Sequence, residues 1–348
     1  MLRCALACLA LGCGRESKTK RGGEQLEVSE LRYLAGVGQV NMPELAEDLG
    51  YLAPLKLRWV GAVLGGPEAL QAISTGDVDF GSAATGSTIK MIIAGAPLQQ
   101  VIASGGVDER SWGGYFVLDD SPLRDARDLI GKKISVNTLG AHAEFMIREY
   151  LTRGGLTRAE IPKVALVVIP PANGEQTLRQ KRVDVASLSG VFRDRALERG
   201  GLRPLFRDRD LFGSFNSTTF AMHKRFVKDN PNATRKFVTA TARAIEWARA
   251  TPTEVVRERM RQIIGRRKRG EDPSLMRHWH SVGIKTRGGL LSDEDMRLWV
   301  DWLVQSGDLK PGQVSSLSSL YTSEFHPFRE TPTAGAAPRA PALAAHRN

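Results

Sequence analysis

GPEALQAISTGDVDFGSAATGSTIKMIIAG, residues 66–95, decides the architecture. Pro67 opens a helix and Gly76 closes it, over 65–76. A short strand follows at 78–82, and a second helix is expected over 87–95. Between strand and helix lies G-S-A-A-T-G-S-T, which differs from the phosphate-binding pattern G-x-x-x-x-G-K-[ST] at one position, where Ser87 replaces the lysine. In a true phosphate loop that lysine carries charge to the β/γ-phosphates. Lys90 is one helical turn further along and points down the helix side, so the stretch is not read as an ATPase site. Two readings remain open: a plain capped helix start, or a wall of small residues at which backbone N–H groups and the hydroxyls of Ser82, Thr85, Ser87 and Thr88 face a ligand.

Working outward, strands are expected at 26–36, 55–60 and 98–106, with a helix over 42–51. Strand and helix alternate with short connections, which points to a mainly parallel sheet covered on both faces. The alternation resumes with strands at 115–120, 131–140, 164–170, 183–190 and 202–208, and helices at 143–155 and 174–182 and from Val191. ISTGDVDFGS (73–82) and LRQKRVDVAS (178–187) echo one another, with Asp79 and Asp184 in register. The echo implies two similar α/β lobes and a cleft between them at the carboxyl ends of their strands. VNTLGAHAEFMIREYL (136–151) repeats the strand-end, glycine, helix arrangement in the second lobe. Thr138, Gly140, Ala141 and His142 thus fall at a helix N-terminus, which favours a carboxylate, phosphate or sulfonate. The chain then turns strongly helical: Asn230-Pro231 and Thr251-Pro252 start two helices, and Ser292 with Asp295 comes close to a capping box.

Composition narrows the function. The formal net charge of +11 favours an anionic partner, but the basic residues are scattered without the interleaved aromatics of a nucleic-acid surface. The three cysteines are residues 4, 8 and 13, which excludes a disulfide framework, a zinc ribbon or a cysteine nucleophile further along the chain. The segment MLRCALACLALGCGRESKTKRGG reads as an export signal resembling that of a bacterial lipoprotein, with Cys13 the expected lipidation site and residues 14–24 a polar tether. The Ala/Pro-rich tail, 331–348, is expected to be disordered.

Other motifs carry less. His278 and His280 diverge on an expected helix, so no metal site is expected. Ser189-Gly190 lacks the flanking pattern of a nucleophile elbow. Asp77 and Asp79 are expected to satisfy turn amides. Trp112 lies in a polar stretch between the lobes and is read either as packing or as a hinge-side aromatic that covers a ligand. RRKRG (266–270) is read as a solvated loop.

EDLGYLAPLKLRWV, GPEALQAISTGDVDFGSAATG, IKMIIAGAPLQQVIASGG, DLIGKKISVNTLGAHAEFMIREYLTRGGL and DNPNATRKFVTATARAIEWA, in this order and spacing, resemble the solute-binding proteins of ABC importers in the nitrate/taurine/alkanesulfonate and thiamine-precursor group. The resemblance covers residues 26–328. It implies an α/β, two-lobed periplasmic-binding-protein fold (type II). Residues 1–25 would be signal and tether, 26–108 the first lobe, 109–214 the second, and 215–330 the completion of the first lobe with C-terminal helices. It further implies a non-catalytic monomer without cofactors, in the periplasm or on the outer face of the cytoplasmic membrane. Its partners would be a small, anionic or pyrimidine-type solute and a permease with its ATPase. Carried over, contact positions fall on Val37, Gly38, Gln39 and Asn41, on Gly65 and Gly66, and on Ala83, Ala84 and Thr85. In the second lobe they fall on Thr138 to His142, on Ala172 and Asn173, and on Ser189 and Gly190. Phe215 and Asn216 would lie at a crossover. The mapped loops contain no arginine. Two alternatives are an enzyme of the thiamine-pyrimidine-synthase-like branch, against which the cysteine distribution argues, and a ligand-sensing receptor.

Overall fold

The computed structural model describes residues 25–329; Cys13 and the 331–348 tail lie outside the described residues. Two five-stranded sheets carry the two lobes. The first joins β1 (Glu30–Leu34), β2 (Lys56–Gly61), β3 (Phe80–Ala84), β4 (Leu98–Val107) and β10 (Phe215–His223) in the order β2-β1-β3-β10-β4. The second joins β5 (Gly113–Leu118), β6 (Lys133–Val136), β7 (Ala165–Val168), β8 (Val185–Ser189) and β9 (Leu202–Arg207) in the order β7-β6-β8-β5-β9. The two orders superimpose once β6, β7 and β8 are matched to β1, β2 and β3. The V-D echo has a single structural job in both lobes. Asp79 Oδ2 accepts the Arg32 N–H of β1 at 2.6 Å, and Asp184 Oδ2 accepts the Lys133 N–H of β6 at 2.8 Å. Each aspartate thereby anchors the strand beside its own, β1 at its middle and β6 at its start.

The sheets are mixed where the sequence reading gave mainly parallel strands: β10 is antiparallel to β3 and β4, and β5 to β8 and β9. Connectivity is the reason. The chain leaves the first lobe after β4 and returns through Gly213 and Ser214, so an arriving strand starts at the edge where its neighbours finish. Thr218 accordingly pairs with Ala84, and Gly113 with Ser189.

Eleven α-helices are described, with α1 (Met42–Asp48), α2 (Gly66–Thr75) and α3 (Thr85–Ile93) in the first lobe. The second lobe contributes α4 (His142–Arg153), α5 (Gly174–Arg179), α6 (Gly190–Glu198) and α7 (Asp208–Phe212). The chain then adds α8 (Lys224–Asp229), α9 (Pro231–Ala250), α10 (Thr253–Arg266) and α11 (Asp293–Ser306). The Ser292–Asp295 capping box is fully formed. Among the described residues no helix is long and apolar enough to cross a membrane.

The first core is built on Tyr33, Phe80, Phe220 and Phe237, with ring centroids 4.6–5.8 Å apart. The second centres on Phe206, stacked between Tyr115 and Tyr150 at 4.1 and 3.8 Å. Gln100, wholly buried in β4, donates to the Leu320 carbonyl at 3.0 Å and accepts from Thr219 at 2.6 Å, tying the C-terminal segment to the first sheet.

Two sequence expectations are corrected here. Strand β3 runs to Ala84 and α3 starts at Thr85, two residues before the expected start, so GSAATGST contains no separate loop. Its small residues serve packing: a Cβ on Gly81 would lie 2.9 Å from the Ala69 Cβ, and one on Gly66 would lie 2.4 Å from the Ala83 Cβ. Helix α2 therefore rests directly on β3. RRKRG is only partly solvated: Arg266, Lys268 and Gly270 are exposed, but the Arg267 and Arg269 side chains are nearly buried. Their guanidinium groups each reach Glu44 at 2.8 Å, and Arg269 also donates to the Tyr33 hydroxyl at 2.8 Å. A buried carboxylate distant in sequence converts that basic run into a structural anchor.

Candidate functional site

Helices α3 and α4 start at strand ends on opposite lobes, and neither N-cap, Ala84 or Ala141, supplies a side-chain cap. Their first N–H groups and dipoles are therefore open to an acceptor. The two starts meet: Ser87 Oγ donates to the Gly140 carbonyl at 2.5 Å. Thr88 turns back onto the Ala84 carbonyl at 3.2 Å, while the buried Thr85 hydroxyl has no partner among the described residues. Glu144 accepts the Gly140 N–H at 2.8 Å and fixes the bend into α4.

His142 is the first residue of α4. Its Nε2 lies 3.1 Å from Asp208 Oδ2, and the same oxygen accepts the Gly113 N–H at 2.9 Å. The carboxylate offers only lone pairs, so Nε2 carries the hydrogen of that bond and Nδ1 is left open. The His142 ring sits 6.1 Å from that of Phe215 and 6.2 Å from that of Trp299, and Phe212 closes the group at 5.7 Å from Phe215. Trp299 lies on α11 and Phe215 opens β10, so the cluster draws on both lobes. Tyr115, fully buried nearby, has its phenol pushed well above its ordinary range, first by burial and then by the negative charge of Asp208.

Further contacts hold the lobes against one another. Asn137 Nδ2 donates to the Leu64 carbonyl at 3.0 Å, and a Cβ on Gly65 would meet Thr138 Cγ2 at 2.3 Å. A Cβ on Gly190, whose φ of +52° favours glycine, would lie 3.8 Å from Gln39 Nε2. The first-lobe loop carrying Val37 and Gln39 is held from behind: Gly38 N–H donates to Glu271 at 2.6 Å, and Arg267 donates to the Gln39 carbonyl. Val37, Gln39, Ala172, Asn173 and Ser189 stay at the surface, whereas Ala83, Ala84, Thr85, Ala141 and Phe215 are buried.

Three mapped side chains have other work. Asn41 caps α1, accepting the Glu44 N–H at 2.9 Å. Asn216 is 1% exposed and fully engaged: it donates to Thr286 at 3.0 Å and Asp295 at 2.8 Å, and accepts the Lys285 N–H at 2.8 Å. Burial pushes the Asp295 carboxyl up. Trp112 stacks 6.1 Å from Phe116, with the Arg193 guanidinium 4.2 Å from its own ring; Arg193 also holds the Arg110 and Trp112 carbonyls. That arrangement stiffens the first crossover.

Sequence reading missed Asp208, Phe212, Trp299 and Glu271. Asp208 sits in the charge-alternating FRDRDLF, and Trp299 follows the apolar spacing of an amphipathic helix, so neither stands out locally. Among the described residues there is no cluster of three or more His, Cys, Asp or Glu able to hold a metal ion.

The NMT1/THI5-like family profile matches residues 46–255, more than half of the chain. An aliphatic sulfonates-binding protein of Escherichia coli (strain K12) is 29% identical over 164 residues, 46% of this chain and 49% of the relative. The match thus spans about half the length of that relative. Among solved structures, a protein from Bordetella bronchiseptica RB50 superimposes with a TM-score of 0.71 at 18% identity, over 87% of this chain and 97% of the other. The periplasmic aliphatic sulphonate binding protein of Escherichia coli does so with a TM-score of 0.64 at 20% identity, over 91% and 98%. The chain belongs to the NMT1/THI5-like family and has the two-lobed, type II periplasmic-binding-protein fold.

Proposed function

We propose that the chain is the extracytoplasmic solute-binding component of an ABC importer, enclosing a small solute with an anionic group between its lobes. One observation carries the reading: α3 and α4 start face to face across the lobe interface without side-chain caps, joined by the Ser87–Gly140 hydrogen bond. An anionic group lodged there meets N–H donors and two positive dipole ends and needs no arginine. The sulfonate-binding names of relatives favour a sulfonate over nitrate or a pyrimidine. The chain would hand its solute to a permease and its ATPase as a monomer, in the periplasm or held at the membrane through Cys13.

Binding is favoured over catalysis because all three cysteines precede residue 14 and the His142–Asp208 pair orients no nucleophile. A thermal-shift screen of sulfonates, nitrate, carboxylates and pyrimidines tests the reading. A ligand at a hundred times its Kd stabilises the folded state by about 2.7 kcal/mol, a shift of several degrees. A flat screen across all four classes overturns the assignment.

A further inference from the structure

The end of the first lobe remote from the helix starts of α3 and α4 concentrates positive charge that solute binding does not use. KRFVKDNPNATRK, residues 224–236, holds five basic residues and one acidic one and covers α8 and the start of α9. Strand register fixes its place. Strand β10 runs antiparallel to β3, with Thr218 beside Ala84 at the α3 end and Met222 beside Phe80 at the other. The chain therefore leaves the sheet at His223 where β3 begins, and Lys224 and Lys228 stand exposed there, one turn apart on α8.

Nearby carboxylates are already committed. Glu27, just before β1, accepts the Asn232 and Ala233 N–H groups at 3.0 and 2.9 Å and so holds the start of α9 at the same end of the sheet. Asp229 pairs with Arg225 at 3.2 Å, which leaves Lys224, Lys228, Arg235 and Lys236 in no ion pair among the described residues. Arg235 and Lys236 border an open groove of about 760 Å³ whose apolar walls include Leu26, Val28 and Pro54. Like charges gathered on one face repel one another and favour an anionic partner from outside.

The course of the chain indicates which partner. Asn232 Nδ2 donates to the Gln25 carbonyl at 3.0 Å, so the segment before Gln25 departs from the edge of this face. After Cys13 that segment carries Arg15, Lys18, Lys20 and Arg21 against Glu16 and Glu24, and before it lies the apolar run. Basic charge beside an apolar anchor is the chemistry that recognises anionic lipid, each Lys or Arg near such a surface strengthening binding about fivefold.

We propose that this end of the first lobe docks on an anionic lipid surface. Lys224, Lys228, Arg235 and Lys236 meet the phosphates, and the groove over Leu26 and Val28 takes the glycerol and first acyl carbons. The lobe interface lies at the opposite end of the same sheet, so docking and solute capture do not compete. The proposal goes beyond the solute-binding reading and holds whichever solute the lobes enclose.

Flotation of the full chain with vesicles, without solute, tests it. Phosphatidylcholine vesicles are compared with vesicles containing about 30% phosphatidylglycerol at about 0.1 M salt. The apolar run before Cys13 can enter both, so the difference between them is what counts. Wild type should prefer the anionic vesicles at least about a hundredfold, and Lys224→Gln/Lys228→Gln/Lys236→Gln should reduce that preference at least about thirtyfold. Lys132→Gln/Lys133→Gln/Lys163→Gln, which removes the same charge from the second lobe, should keep it. Absence of a wild-type preference leaves the face to an acidic protein and overturns the proposal. A preference retained by the first variant assigns it to residues 15–21, and equal loss in both variants assigns it to net charge alone; either result also overturns it.

Discussion

Ser87 Oγ and the Gly140 carbonyl, 2.5 Å apart, join the first turn of α3 to the residue just before the N-cap of α4, in the other lobe. Lobe closure and the presentation of two helix dipoles to a single point are therefore one structural event. Ser87→Ala removes the bond without touching the core of either lobe. A net hydrogen bond is worth about 1 kcal/mol, so solute affinity falls about fivefold. The melting temperature of the solute-free protein should change little. Calorimetry on the two proteins checks both.

The Glu44 carboxylate, 7% exposed, receives Arg267 and Arg269 as well as the Tyr33 hydroxyl at 2.6 Å. Glu44→Gln leaves the nearly buried Arg269 without a carboxylate, while Arg267 keeps Glu271. The expected loss in urea unfolding is about 3 kcal/mol. Because Arg267 also holds the Gln39 carbonyl, the loop at the cleft should exchange its amide hydrogens faster in the same variant. Glu258→Gln, which breaks the exposed pair with Arg261, should leave the unfolding curve unmoved.

Acid should weaken the fold through His326. Burial lowers its pKa from the ordinary 6.5, and both ring nitrogens are in use, with Nε2 3.0 Å from the Gly288 carbonyl and Nδ1 accepting the Phe328 N–H at 3.2 Å. The unfolded chain binds the proton first, so stability present above pH 6.5 is lost as pH falls from there toward the lowered folded value. His278 and His280 are also lowered, chiefly by burial, and add to the same slope. Urea midpoints at pH 7.5 and 5.5 should differ for wild type and differ less for His326→Gln.

Much of the fold was legible because its signals are local. Pro67 and Gly76 bracket α2, Ser292 and Asp295 cap α11, and Asp79 and Asp184 mark the repeat through their position beside a strand start. What stayed hidden depends on partners far along the chain. The small residues of β3 looked like loop until α2 was seen lying on them, and RRKRG looked solvated until Glu44 was placed beneath it. Half of the candidate site was legible for the same reason. A helix start after a strand, as at Thr85 or His142, announces itself. Asp208 becomes meaningful only where it meets His142, 66 residues away, and Trp299 only when α11 packs on α3.

The central claim, that the solute is enclosed where the lobes meet, is tested most directly by stapling them. A Cβ on Gly65 would lie 3.1 Å from the Thr138 Cβ, near the range a disulfide spans, and every natural cysteine lies before residue 14. In Gly65→Cys/Thr138→Cys, oxidation before solute is added should abolish binding, oxidation afterwards should trap the solute, and dithiothreitol should reverse both. Wild-type binding by the empty, oxidised protein would contradict the account.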